Sequence, residues 1–156
     1  MSGQLYAVNL TTQASTPEAA PGTRHSTSGG THYVYVKANG AKTANLVYAL
    51  DDTFTVQAAI GGTTTFPASG KALSCCCPQL AITDAYYAWA PVKGPFTITS
   101  DGAIASAAKI YTSPTDGKLD DSSSSQLLIN GLMVYTAIAS STTGTAIATQ
   151  DLWVSN

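Results

Sequence analysis

Charge is scarce in this chain. Asp, Glu, Lys and Arg together fill 10% of its 156 positions, against roughly 25% in an ordinary soluble domain. The 7 basic residues stand singly and cannot neutralise a run of phosphates, so nucleic acid is not an expected partner. Long apolar runs are missing too. None approaches the roughly 20 residues that a membrane-spanning helix needs, and no membrane association is expected. Residues 1–10 have neither the basic start nor the apolar middle of a secretory leader, which predicts synthesis and retention in a cytoplasm. Under that expectation the sequon Asn9-Leu10-Thr11 has no consequence.

Histidine occurs only at His25 and His32, and cysteine only as the contiguous Cys75, Cys76 and Cys77. Neighbouring residues in a strand point to opposite faces, so the three thiols cannot close on one metal, and no second cysteine cluster exists to complete a site. Adjacent cysteines also bridge only with strained geometry. They are expected to be buried as small apolar side chains. The histidines lie in or beside a Gly/Ser-rich tract that cannot hold a catalytic base rigid, and there is no GxSxG motif. They are expected at solvent or at an interface. The carboxylate pairs Asp51/Asp52 and Asp120/Asp121, with Asp116 and Glu18 elsewhere, are of the residue type used in glycoside hydrolysis and calcium binding. Neither pair has EF-hand spacing, and each lies beside Gly, Ser or Thr, where Asp caps turns through nearby backbone. An adventitious ion at Asp120/Asp121 stays open. No nucleophile, base and orienting group can be placed together, so no enzyme activity, cofactor or resident metal is expected.

Ser, Thr, Ala and Gly take the place of charge. At a formal net charge of −2, a surface of hydroxyls and exposed backbone repels its neighbours weakly and tolerates close packing against them. The length suits one domain. Such a domain buries about two thirds of its unfolded surface, so its core needs neither disulfide nor metal.

Residues 1–31 read as an extended N-terminal arm, with Pro17, Pro21, Gly22, Gly29 and Gly30 among Ser, Thr and Gln. Too few apolar side chains are present to offset the entropy of ordering, so the arm is expected to be mobile in isolation. Whatever orders it must lie outside the segment. From Tyr33 the pattern becomes period two, and residues 33–36 end at the turn pair Asn39-Gly40. Strands are predicted at 46–50 and 53–58 about an Asp51-Asp52 turn, and at 73–83 and 85–92 joined at Asp84. A Gly/Thr/Pro-rich stretch at 61–70 precedes the second pair. Gly94-Pro95 is expected to break the chain before a strand at 96–99, and Asp101-Gly102 forms the next turn. Residues 103–111 read as strand plus loop, 115–125 as a polar loop, and 127–139 and 146–154 as apolar strands. About seven to nine short strands with frequent turn signals predict an antiparallel β-barrel or β-sandwich over residues 32–156. No internal repeat is evident. Tyr87 and Trp89 share one strand face and Tyr86 lies opposite with Ala88 and Ala90. These rings suit a core or an oligomer interface, and the alternative is a sugar-binding platform.

Three segments carry a resemblance: "THYVYVKANGAKTANLVYAL", "LAITDAYYAWAPVKGPFTI" and "KIYTSPTDGKLDD". Together they resemble the capsid decoration, or cement, proteins of tailed bacteriophage heads. Those proteins carry a "YVYVKA-G" strand after a "PE…LGT" element, then an "A-AD-YYGWVQ-G" hairpin and an "LYT-T-G-LDD" stretch. Pro17, Glu18 and residues 22–24 match the first element, with Pro21 in place of its leucine; Ala88 replaces a glycine and Pro91 interrupts the hairpin's strand ending. The resemblance implies a virion protein on the capsid exterior, made in the bacterial cytoplasm, that binds the major capsid protein and stabilises the shell through the extended N-terminal arm, as a bridge, and an oligomeric β domain. It also implies a homo-oligomer, a trimer ahead of a dimer. On it, Pro17, Glu18, Pro21, Arg24, His25, Tyr33 and Tyr35 are the partner-binding residues of arm and strand, and Tyr86, Tyr87 and Trp89 the oligomer interface or core. The alternative function is a glycan-binding head-fibre or adhesin-like module that exposes those three aromatics.

Overall fold

The computed structural model describes residues 8–61, 73–123 and 127–155. Most of the Gly/Thr/Pro-rich stretch at 61–70, the end of the polar loop at 115–125 and the first seven residues of the arm lie outside the described residues. Every regular element among those described is a strand. The order is β1 (Arg24–Ser26), β2 (His32–Ala38), β3 (Tyr48–Leu50), β4 (Thr55–Ala59), β5 (Leu73–Cys76), β6 (Tyr87–Thr99), β7 (Tyr111–Thr112), β8 (Leu119–Asp120), β9 (Leu128–Met133) and β10 (Thr143–Ser155).

The chain is mainly β, as its patterning predicts, and the sheet curls into a ring. β2 pairs with β6, β6 with β10, β10 with β5, β5 with β3, β3 with β4, and β4 returns to β2. One junction departs from the antiparallel expectation. β2 and β4 run parallel, with Lys37 opposite Thr55 and Ala38 opposite Val56. The parallel pair arises because Asn39-Gly40 does not close a hairpin. Gly40, at φ 78°, instead sends the chain across the ring's end, where Lys42 exchanges both backbone hydrogen bonds with Ile82.

Alternation along the walls divides the interior into two apolar clusters. Tyr48, Leu50 and Cys76 face one cluster with Val34, Val36, Val56, Ala88 and Ala90. Val47, Ala49, Cys75 and Cys77 face the other with Phe96, Ile98, Ile104, Ile138 and Leu152. Because side chains alternate with period two, one strand lines both cores only if both of its faces are apolar, and the sequences VYAL and CCC meet that requirement.

β6 joins the two halves. Its first half pairs with β2 and its second with β10, so the expected break at Gly94-Pro95 is a bend inside one 13-residue strand. Gly94 makes the bend at φ 87°, and any Cβ there would run into the backbone of Gly30 and Thr31. Pro91 and Pro95 are tolerated because the ladder bonds belong to the even-numbered residues: Ala38 N–H donates to Tyr86 O, and Ser100 N–H to Thr142 O. By alternation the odd-numbered residues, the prolines included, have no N–H to offer their partner strand.

The structure also contains a repeat that the residues do not announce. Ile104 and Ile138 exchange backbone bonds as Lys42 and Ile82 do. Three residues after each of these four positions stands a non-glycine residue in the left-handed region: Asn45 at φ 63°, Ala85 at 63°, Ala107 at 60° and Ser141 at 56°. Asn45 N–H donates to Pro78 O and Ala107 N–H to Val134 O, each four residues before the opposing bridge residue. The register repeats as well. β2 against the first half of β6 stands to the Lys42–Ile82 bridge as the second half of β6 against β10 stands to Ile104–Ile138. The two flagged turn pairs, Asn39-Gly40 and Asp101-Gly102, hold equivalent places.

Candidate functional site

Of the residues singled out in the arm and in β2 and β6, His25, Tyr33, Tyr35, Tyr87 and Trp89 share one outer face of the ring. Tyr35 lies directly opposite Trp89 and Lys37 opposite Tyr87. The Tyr35 and Tyr87 rings stack at 6.0 Å, Tyr35 and Trp89 are 5.0 Å apart, and the His25 ring meets Trp89 edge-on at 5.9 Å. Lys37 Nζ stands 5.8 Å from the Tyr87 ring centre. Tyr33 shares this face by alternation, and burial pushes its phenol pKa up. Tyr86 is on the other side, packed against the core of Val34, Ala88 and Ala90, as period two requires.

The arm covers this face. Ala14 exchanges both backbone hydrogen bonds with Tyr87 at 2.9 Å, and Gln13 Oε1 accepts from Thr83 N–H at 2.5 Å. Glu18 N–H donates to the Tyr35 hydroxyl at 3.0 Å. Ala20 to Thr23 then form a turn closed by Thr23 N–H to Ala20 O at 3.0 Å. Pro21 and Gly22, with φ 89° at Gly22, occupy its two central places, the type II arrangement. The Phe54 ring fills the space where a Gly22 side chain would stand. Arg24 reaches Asp151 at 2.6 Å with both side chains about half exposed, a contact that contributes little. Pro17 is exposed. The last part of the arm is itself a strand, because β1 pairs antiparallel with β2 across the turn that contains the expected boundary at Thr31.

The arm's order thus comes from outside its own segment, from strands of the same chain. Under it Tyr35 is 1% exposed and Trp89 5%, so neither ring offers a solvent-facing platform.

The remaining candidates serve the fold. The three cysteine thiols are buried. Desolvation pushes Cys76 up to about 12 and Cys75 and Cys77 well above their ordinary value. Asp51 caps its turn, accepting from Thr53 N–H and Thr55 N–H at 2.9 Å and from Gln57 Nε2 at 2.6 Å. Burial alone would raise its pKa, and these hydrogen bonds together bring it below the usual carboxylate range. Asp120 accepts from Asp121 N–H at 2.7 Å, and Asp121 from Ala105 N–H at 2.9 Å. His32 Nδ1 is 3.1 Å from the Ser26 hydroxyl. Among the described residues no three His, Cys, Asp or Glu side chains converge.

Two features have no counterpart in the sequence reading. Lys42, only 7% exposed, donates to Gln57 O at 2.7 Å and to Asn39 O, and it lies 5.3 Å from the Tyr48 ring centre. Burial lowers its pKa. Its three counterparts in the repeat are Ile82, Ile104 and Ile138. The second feature is a groove of about 430 Å³ lined by Tyr135, Ala137, Ala139, Thr143, Thr145 and Ile147 among others. Tyr135, 70% exposed, stands at it. An exposed tyrosine beside uncharged residues carries no periodic signal and is invisible until the strands are paired. Compared with known families, characterised proteins and solved structures, the chain matches none of them.

Proposed function

We propose that this chain is a tailed-phage virion protein that decorates the capsid exterior and stabilises the shell by binding the major capsid protein, acting as a homo-oligomer. The observation that supports this most is the pairing of β2 with β6 under the arm. These strands lie within the two longest segments that resemble the decoration proteins, and their outer face is covered by polypeptide, the chain's own arm. The chemistry agrees. A hydroxyl-rich surface with formal net charge −2 packs against large assemblies without strong repulsion. β1 has β2 as its one strand partner among the described residues, which leaves an edge able to receive a strand. An oligomer that places several such contacts on one shell gains avidity, and preferential binding to the assembled state stabilises that state by mass action.

The glycan-binding alternative needs rings that face solvent in the free protein. The burial of Tyr35 and Trp89 and the inward position of Tyr86 speak for the decoration reading. Co-sedimentation with empty, expanded phage shells tests it. Saturable binding at a fixed number of copies per capsomer, with a raised shell melting temperature, is the expected result. Absence of pelleting at every protein concentration, or glycan binding that is lost in Trp89→Ala, overturns it.

A further inference from the structure

The repeat sets the groove at Thr143 in the same relation to the second half of the ring as the arm's seat has to the first. Tyr87 and Thr143 are equivalent, being two residues past the left-handed Ala85 and Ser141. Thr83 and Ala139 are equivalent, each following a bridge residue, Ile82 or Ile138. In the first half the backbone of Tyr87 bonds Ala14 in both directions, and Thr83 N–H bonds the Gln13 side chain.

In the second half those positions stand open. Ser100 N–H donates to Thr142 O, so by alternation the N–H and C=O groups of Thr143 and Thr145 point away from β6. Among the described residues neither these groups nor Ala139 N–H has a hydrogen-bond partner. All three residues are exposed, and all line the groove. β9 takes up the edge of β10 only from Ile147 onward.

We infer that this groove is a strand-docking site that receives an extended, uncharged segment of another protein, added antiparallel to β10 at Thr143 as Ala14 is added to Tyr87. The arm supplies the template for the occupant: a small residue opposite Thr143, preceded by a side-chain amide that accepts from Ala139 N–H. The groove's lining is uncharged, and residues 8–17 of the arm are uncharged too. A charged segment would lose hydration there with nothing to replace it. The exposed Tyr135 ring provides a wall for the strand to lie against. The chain's own arm is not the occupant, because removing it from its seat uncovers Tyr35 and Trp89. The source is therefore a partner chain. It is the shell subunit if the decoration reading holds, and only that last step rests on that reading.

The edge is tested with a synthetic peptide of residues 8–17 added in trans to the full chain. Amide exchange at Thr143 and Ala139, the counterparts of Tyr87 and Thr83, should slow by roughly tenfold when the peptide saturates, the protection expected when each N–H gains a hydrogen bond. Thr143→Pro removes the outward N–H without touching a ladder bond and should abolish the protection of Ala139, the amide that can still be read, while Thr143→Val should keep it at both positions. Unchanged circular dichroism and melting temperature establish that both variants fold. If Thr143→Pro does not fold, Ala139→Pro, which removes the other engaged N–H, serves in its place and is read at Thr143. Absence of protection at millimolar peptide, or protection that persists in the proline variant, overturns the inference. Shell co-sedimentation separates the source: Thr143→Pro pelleting like wild type overturns the shell strand as occupant and leaves the decoration reading intact, whereas a wild type that never pellets removes that reading and leaves the edge to the peptide result.

Discussion

Burial holds the three cysteine thiols protonated far into alkaline solution, and this sets a pH window for the fold. Below the ordinary thiol value of 9.0 folded and unfolded chains both keep these protons, so the thiols impose no pH dependence there. Above it only the unfolded chain releases them, until the folded Cys76 titrates at about 12. Unfolding is therefore favoured as pH rises through the window, by roughly 1.4 kcal/mol per pH unit for each such thiol. Lys42 acts with the opposite sign, because its lowered pKa leaves the unfolded chain holding the extra proton. Comparing wild type with Cys76→Ala isolates the thiol. The variant should lose about 1 kcal/mol at pH 7 to the missing side chain and recover relative to wild type between pH 9 and 12 in urea titrations. A constant difference across that range would show that Cys76 is not held protonated. The alternation that buries these thiols was legible in the three letters themselves, since no strand can turn Cys75, Cys76 and Cys77 to one side. The sharing of one face by Tyr87 and Trp89 was legible for the same reason.

At the scale of elements, the bend in β6 and the repeated turns carry the architecture, and both were poorly marked in the sequence. Gly94-Pro95 reads as a break because the pair commonly ends strands, yet what it needs is a residue with no Cβ and one with no ladder N–H. Gly94→Ala places a methyl against the backbone of Gly30 and Thr31 at φ 87°. A loss of at least about 2 kcal/mol in urea denaturation is expected, and a variant as stable as wild type would contradict the bend. The four left-handed residues escaped notice because only Asn45 is of a type that favours this conformation. Ala85, Ala107 and Ser141 are held there by the turn around them. The left-handed region costs an alanine about 1–2 kcal/mol and glycine adds about 0.5–1 kcal/mol of entropy, so Ala85→Gly and Ala107→Gly should each stabilise by up to about 1 kcal/mol. A lowered melting temperature in both variants would show that the methyl groups, not the backbone, matter at these turns.

For the molecule as a whole, the arm and the ring each lack something that the other supplies. Residues 8–23 have few apolar side chains and nothing of their own to order them, while the outer face of β2 and β6 carries rings that water would otherwise reach. The sequence marked both halves of this arrangement, the polar arm and the aromatic strands, but gave no sign that they meet, since an arm bound by two backbone bonds and a few side-chain contacts leaves no periodic trace. If the arm shields on the order of 100 Å² on each of Tyr35 and Trp89, its cover is worth roughly 5 kcal/mol, a large share of the 5–15 kcal/mol typical of a domain. The two interior cores do not depend on the arm, so a chain lacking residues 1–20 should still fold, with a clearly lower melting temperature, and should bind a hydrophobic dye and self-associate as its concentration rises. Adding a peptide of residues 8–20 in trans should reverse the association, because all the contacts of Gln13, Ala14 and Glu18 can form without the covalent link. An arm-deleted chain that stays monomeric, binds no dye and melts like wild type would mean that the aromatic face needs no cover and that the arm's place on β2 and β6 is incidental.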